Sequence, residues 1–452
     1  PKEFGNTVEG YMYDLLKTYV SMIMSERFGD ITSKPDAPYF GGSLGIGKLC
    51  ATCEAVFGNV EFKEGDALNA FNAFMLEVEK MKRYGFTDGE VERATAKIIS
   101  FYEQAAEGAA TRKNDAFVRP LLNAFYHNEA YMDPATELEV AKAICGQLNV
   151  QILNMFAQQI ITDNNMVVLY NGPEKEGLVN PTEAQLAEIL TAVKNAEIEA
   201  NVEEAINEPL ISKELKGSKV KKETTGIYGS TVWTLKNGVK VVVLPTQHKK
   251  DQVMLSLEFN GGKTLIDTKD MASFEDNIWG VYLNNTGVSK FPSTTLSKML
   301  AGKNVNVYPN LGGTTHGIYG QSTPKDLETA FQLMYLYFAE PRFDAEEFAT
   351  GIQQIKAVLP NLVNTPDFKF QNFVSEKLYG GNERVVLIND EVLENAKLET
   401  IEKVYRNILF KNVGGATLTI VGNVDLETLK PLVEKYVGSL PKGKKASEVK
   451  KE

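Results

Sequence analysis

The apolar positions of this chain recur twice in the same order. Leu68, Phe71, Met75, Val78 and Met81 share one face at helical spacing. Leu327, Phe331, Met334, Tyr335 and Phe338 do the same, behind Thr323 and a Pro324 suited to a first helical turn. A helix-start signal follows each stripe. After the first, Thr87 and Glu90 have capping-box spacing, and Phe86 and Val91 can staple across it. After the second, Asp344 and Glu347 repeat the spacing, with Phe343 and Phe348 in the staple positions. Further on, residues 149–159 predict a helix, and the apolar run 166–170 predicts a strand ending at Gly172. Their counterparts are residues 400–410, residues 416–421 and Gly422. Phe343 follows Phe86 by 257 residues, and Gly422 follows Gly172 by 250. Offsets this steady over successive elements mark an internal duplication.

Each copy reads as helix, longer helix, helix and strand, with further strands ahead of the first helix. Strands in runs before helices predict an α+β fold, with helices packed on one face of a largely antiparallel sheet in each of two related units. The units are expected over residues 1–172 and 227–441. Residues 173–226 read as a linker with a helical stretch at 181–205 and a Lys-rich segment at 213–222. That segment has no interleaved aromatics, so it reads as a solvated connector rather than a binding patch. Residues 442–452 read as a polar tail.

Composition narrows the function. Hydrophobic residues at 43% and charged residues at 24% are enough to close globular cores. A net charge of −11 excludes a simple nucleic-acid binder, which needs clustered Lys and Arg. No apolar run reaches the ~18 residues of a membrane span. The chain begins at Pro1 with no Met and no signal-like segment, which reads as a cut boundary. Three cysteines cannot build a disulfide framework. Cys50-Ala51-Thr52-Cys53 has C-x-x-C form, but no second pair completes a zinc site and no thioredoxin-like flank surrounds it. It reads as two small apolar residues near a buried segment. His127, His248 and His316 each lack a second His within helical reach. The stretch from Gly42 to Leu49 nearly fits a P-loop, yet Leu49 stands where the Mg²⁺-binding hydroxyl belongs, and Pro35 and Pro38 interrupt the preceding stretch. It reads as a flexible turn leading into a strand.

Several motifs are similar to those of the insulinase/pitrilysin metallopeptidases. Leu235-Lys236-Asn237-Gly238-Val239 resembles the L-x-N-G-hydrophobic hairpin that opens each half of those enzymes. Asn237-Gly238 between β-rich flanks is a two-residue type I′ turn signal. The alternating run 253–259 ends at Gly261-Gly262, where the family places its first core strand. Pro341-Arg342-Phe343-Asp344, Val421-Gly422-Asn423-Val424-Asp425 and Tyr436-Val437-Gly438-Ser439-Leu440-Pro441 follow in the family's order. In the first copy, Met24-Ser25-Glu26-Arg27-Phe28 resembles the small-x-R-L helix end, and Gly85-Phe86-Thr87-Asp88-Gly89-Glu90-Val91 resembles G-F-T-x-x-E-L.

The resemblance implies the second and third of four such domains, the second with its first strand trimmed. The family's zinc is held by H-x-x-E-H in the first domain, where paired His bind the metal and Glu deprotonates its water. The slot for that motif after Gly261-Gly262 reads Met271-Ala272-Ser273-Phe274-Glu275-Asp276-Asn277-Ile278-Trp279, without a His. Glu275 and Asp276 read there as solvent-exposed helix acids, and His316 as a structural residue beside the slot. No catalytic or metal residue is therefore expected in this chain, and no substrate contact is assigned. The implied parent is a zinc-dependent endopeptidase, bacterial and of the periplasm, cell envelope or secreted space. Its partners would be a peptide or protein substrate and the missing first and fourth domains. The rival reading is a noncatalytic binding or assembly subunit that kept the fold and lost the zinc. An ATPase built on the P-loop-like stretch is more remote.

Overall fold

A computed structural model describes residues 6–50, 52–127, 129–162, 164–172, 174–203 and 205–444. The expected tail from residue 445 onward lies outside these. The chain divides into two compact units, Pro1–Ile206 and Asn207–Glu452.

The first unit runs α1 (Val8–Thr32), β1 (Gly41–Cys50), β2 (Cys53–Glu61), α2 (Ala67–Tyr84), α3 (Asp88–Gly108), α4 (Asp115–His127), α5 (Pro134–Cys145), α6 (Val150–Ile160) and α7 (Glu183–Asn195). Its sheet is a single antiparallel hairpin, β1–β2, with Leu44 opposite Gly58 and Cys50 opposite Cys53. Helix α1 packs on β1, and Tyr19, Met24, Phe28, Met81 and Leu153 are fully buried in the core. The near-P-loop stretch is therefore strand, not a turn. Its glycines serve packing: a Cβ on Gly42 would sit 3.0 Å from the Phe28 ring.

The second unit runs β3 (Val220–Thr225), β4 (Thr231–Leu235), β5 (Lys240–Pro245), β6 (Val253–Asn260), α8 (Asp276–Asn285), α9 (Ser293–Met299), β7 (Val305–Leu311), β8 (Thr315–Ser322), α10 (Leu327–Ala339), α11 (Ala345–Leu362), α12 (Pro366–Tyr379), α13 (Asp390–Asn395), α14 (Leu398–Val404), β9 (Thr417–Gly422) and α15 (Leu426–Tyr436). Seven strands lie in the order β3-β4-β5-β9-β6-β8-β7. All pairs are antiparallel except β5–β9. In β6, Val253, Leu255, Leu257 and Phe259 are buried while Met254 and Glu258 face out, the alternation of a strand covered on one face. The α+β prediction holds.

The Asn-Gly turn differs in detail. Gly238 has φ 98° while Asn237 keeps a negative φ. The Leu235 carbonyl accepts from Gly238 N–H at 3.1 Å, and Leu235 N–H donates to the Val239 carbonyl at 3.0 Å. This is a three-residue loop closed by a glycine, not a type I′ turn. Asn237 is buried because its amide donates to the carbonyls of Val437 and Leu440.

Residues 173–226 are not a free connector. Helix α7 packs on α2, as α15 packs on α10, and Arg83 donates to the carbonyls of Val193, Lys194 and Ala196 at its C-terminal end. Beyond it, β3 is the edge strand beside β4, and Lys213 and Lys219 pair with Glu340 and Glu434. Lysines along an outermost strand discourage further pairing, which explains the basic run without a ligand.

The duplication extends over both units as hairpin, helix, long helix, three further helices, return segment and final helix. The return segment is where they part. In the second unit it is β9, held between β5 and β6. In the first, residues 166–170 form no strand. An extended segment becomes a strand only when neighbours satisfy its backbone groups, and the described residues offer none here.

The most demanding contact of the first unit is Arg27. Its guanidinium is buried, donating to Glu90 at 2.6 and 2.8 Å, to the Gly85 carbonyl at 2.8 Å and to Glu77 at 3.4 Å. Glu90 also closes the Thr87 capping box, so one carboxylate ties α1 to the start of α3. Arg27→Ala would leave the buried Glu90 carboxylate without its cation, while Glu77 keeps Lys80 at 3.4 Å, at a cost of about 3–5 kcal/mol. Hydrogen exchange should show the loss as faster exchange across α1, α2 and α3, while the second unit's sheet keeps its protection.

Candidate functional site

The slot at 271–279 follows from β6. Gly261 and Gly262 turn the chain with φ of 121° and 54°. Any side chain at Gly262 would collide with the Gly312 carbonyl, 2.3 Å from an added Cβ. Short 3-10 turns then lead to Glu275 and α8. Met271, Phe274, Ile278 and Trp279 all point into the core, with Trp279 against Phe274 and Tyr282 at centroid distances of 5.8 and 5.2 Å.

The two acids have separate tasks. Glu275 is buried, contrary to its sequence reading. It is the N-cap of α8, accepting from Asn277 N–H at 2.9 Å and Ile278 N–H at 3.3 Å. Asp276 points outward and pairs with Lys263 at 2.6 Å. A carboxylate spent on two backbone donors is an anchor for the helix start, not a base aimed at a substrate. Glutamate is an uncommon N-cap, so sequence patterning had no signal for it.

His316 lies on β8 beside this slot, fully buried. Its Nδ1 accepts from Gly262 N–H at 3.2 Å, which leaves Nε2–H to donate to the Leu409 carbonyl at 2.8 Å. The ring stacks on Phe259 at 5.2 Å and meets Phe410 edge-on. Both nitrogens are occupied, so the imidazole has no lone pair left for a metal. Burial pushes its pKa down to about 4.

The other residues weighed from sequence are scattered. His127 ends α4, and His248 lies in the exposed loop after β5. Cys50 and Cys53 are free and exposed at the β1–β2 turn, not near a buried segment, while Cys145 is buried in α5. Among the described residues, no three of His, Cys, Asp and Glu gather as a metal would require. An aromatic slot whose two carboxylates are taken by a helix cap and by Lys263 does not fit zinc.

A feature that sequence reading missed lies in the first unit. A cavity of about 1100 Å³ opens between β2, the α2 face carrying Phe71 and Met75, Phe156 of α6 and the return segment 166–171. It is larger than the roughly 300–1,000 Å³ of small-molecule sites.

No protein-family model matches the chain. Two curated relatives align with most of it. A zinc protease PQQL-like protein of Arabidopsis thaliana is 22% identical over 444 residues, which are 96% of this chain and 40% of the relative. The probable zinc protease PqqL of Escherichia coli is 19% identical over 403 residues, 88% of this chain and 43% of the relative. The chain thus spans less than half the length of these curated relatives. Among solved structures, the ferredoxin protease FusC in complex with Arabidopsis ferredoxin superposes with a TM-score of 0.57 at 16% identity, covering 99% of this chain and 49% of FusC. That likeness is one of fold. The periplasmic protease PqqL from Escherichia coli gives a TM-score of 0.47 at 19% identity, covering 98% of this chain and 48% of that one.

The buried imidazole gives a pH signature. His316 binds its proton less readily folded than unfolded, so its neutral form favours the fold. This contribution is complete above the ordinary pKa of 6.5 and is lost as pH falls toward about 4. The loss over that window is on the order of 3 kcal/mol. Urea unfolding at pH 7 and pH 4.5 should show a larger drop for the unaltered chain than for His316→Gln, which has no imidazole to protonate.

Proposed function

We propose that this chain, a relative of the insulinase/pitrilysin-type zinc peptidases, is a noncatalytic interior stretch of a zinc-dependent endopeptidase. Peptide-bond hydrolysis would occur at a zinc site outside these residues. The two units would correspond to the second and third of four related domains, forming walls of a chamber that encloses a peptide or protein substrate. Residues 173–226 would carry the chain from one half to the other. The observation that carries this reading is likeness to two zinc proteases over 96% and 88% of the chain. The apolar filling of the slot at 271–279 supports a supporting role for the second unit. The Escherichia coli relative is described as periplasmic, which favours a periplasmic or other cell-envelope setting. The second reading, a binding or assembly subunit that lost zinc, is favoured by the same slot and differs only in what lies elsewhere in the polypeptide.

Elemental analysis and peptide cleavage test the proposal. The 452-residue chain should purify without stoichiometric zinc and leave an unstructured fluorogenic peptide intact. The longer polypeptide encoded by the gene should carry H-x-x-E-H and cleave that peptide in a chelator-sensitive way. Zinc-dependent cleavage by the chain alone would overturn the assignment. A longer polypeptide without the motif would turn it to the assembly subunit.

A further inference from the structure

The C-x-x-C at Cys50 and Cys53 has no role in the function proposed above, yet the hairpin gives it a definite geometry. Cys50 ends β1, Cys53 begins β2, and the two are register partners. Opposed residues of an antiparallel pair have Cα atoms about 4.5–5.5 Å apart, inside the roughly 4.4–6.8 Å that a disulfide spans. Both thiols are free and exposed, so a small reagent reaches them. The Cys50 sulfur lies 3.6 Å from the Thr52 hydroxyl, and the Cys53 sulfur 3.5 Å from the Glu54 carbonyl. The Thr52 backbone, and then its hydroxyl, holds the Cys50 thiol below the ordinary thiol pKa, and the backbone and thiol of Cys53 add to this. The thiolate is the attacking form in thiol–disulfide exchange.

We propose that Cys50 and Cys53 form a reversible disulfide by exchange with a low-molecular-weight disulfide, and that this bond pins the register of the β1–β2 hairpin. In the first step the Cys50 thiolate attacks one sulfur of the reagent, whose S–S bond breaks and releases one thiolate. In the second the Cys53 thiol gives up its proton and attacks the Cys50 sulfur of the mixed disulfide, which releases the other half of the reagent. The dithiol has then lost two electrons and two protons, and the reagent has been reduced to two thiols. The hairpin has a physical need for such a bond. Strand β1 carries Gly41, Gly42, Gly45 and Gly47, and Leu44 is the only buried residue on either strand. Gly-rich strands with little buried on them specify register weakly, and a slip of one residue would turn Leu44 away from the core. The register also shifts between Lys48 and Cys50, leaving Leu49 out of the ladder just ahead of the turn. A covalent bond from Cys50 to Cys53 closes the ladder beyond that irregularity. Cys145 takes no part, since it is buried in α5 and burial pushes its thiol pKa up. The inference is independent of the peptidase reading.

The test equilibrates the 452-residue chain with graded mixtures of oxidised and reduced glutathione, blocks free thiols with an alkylating agent, and reads the digested product by mass spectrometry. The expected product is one Cys50–Cys53 bond per chain, with Cys145 alkylated only after unfolding. An unstructured peptide of residues 47–56 is the reference. The folded hairpin holds the two thiols opposite each other, so the equilibrium constant for oxidation should exceed the peptide's by at least about tenfold. Cys53→Ser alters an exposed side chain, so the chain should fold normally, and its oxidation should stop at a glutathione adduct on Cys50. Hydrogen exchange across residues 41–61 should be slower in the oxidised chain than in the reduced one, with the second unit unchanged, and Cys53→Ser should show no such slowing. Oxidation no easier than the peptide's would overturn the proposal. So would a lasting glutathione adduct or an intermolecular bond in the unaltered chain, modification of Cys145 ahead of the pair, or a hairpin whose exchange is the same in both redox states.

Discussion

The larger unit depends on β9 reaching the middle of its own sheet. This strand comes from far along the chain, yet it pairs in parallel with β5 and in antiparallel with β6. Without it, β3–β4–β5 and β6–β8–β7 would be separate sheets. Leu418 and Ile420 are wholly buried where it joins them, each side chain contributing about 1.5–3 kcal/mol. The helices between β8 and β9 are thereby drawn over one face. Gly422 ends the strand at φ 144°, with Gln252 and Val253 so close that a Cβ would collide with their backbone.

The neighbouring slot inherits its character from this closure. Glu275 holds the start of α8, and His316 fastens β8 to the Gly262 turn and to Leu409. The Glu275 carboxylate is taken up by Asn277 and Ile278, and both His316 nitrogens by backbone partners. A catalytic centre needs the reverse, with acids, bases or metal ligands left open toward a substrate.

Much of the architecture was legible in particular residues. Thr87 and Glu90 form the expected capping box, Asp344 and Asn149 cap their helices, and the α10 stripe is buried as its spacing required, whereas α2 buries only Val78 and Met81 of its stripe and turns Ala70 and Phe74 inward instead. These are local signals, set by hydrogen bonds and packing within a few turns of one helix. The misreadings share the opposite cause. Gly42 sits in a strand because Phe28 of another element needs the space. Asn237 is fixed by carbonyls about two hundred residues away. Residues 181–205 looked like linker because α7's apolar side chains match α2, not one another.

The sequence by itself determined the duplicated order of elements, the α+β class, the helix starts at Thr87, Asn149 and Asp344, and the absence of a histidine pair at the slot. Each of these is written in spacing or residue type over short stretches. Only the tertiary structure decided that one return segment becomes a strand and the other does not, although both are apolar and β-rich. The reason is that a strand's backbone groups are satisfied by neighbours and not by itself. In the second unit β5 and β6 supply those neighbours, and in the first no described strand pairs with residues 166–170.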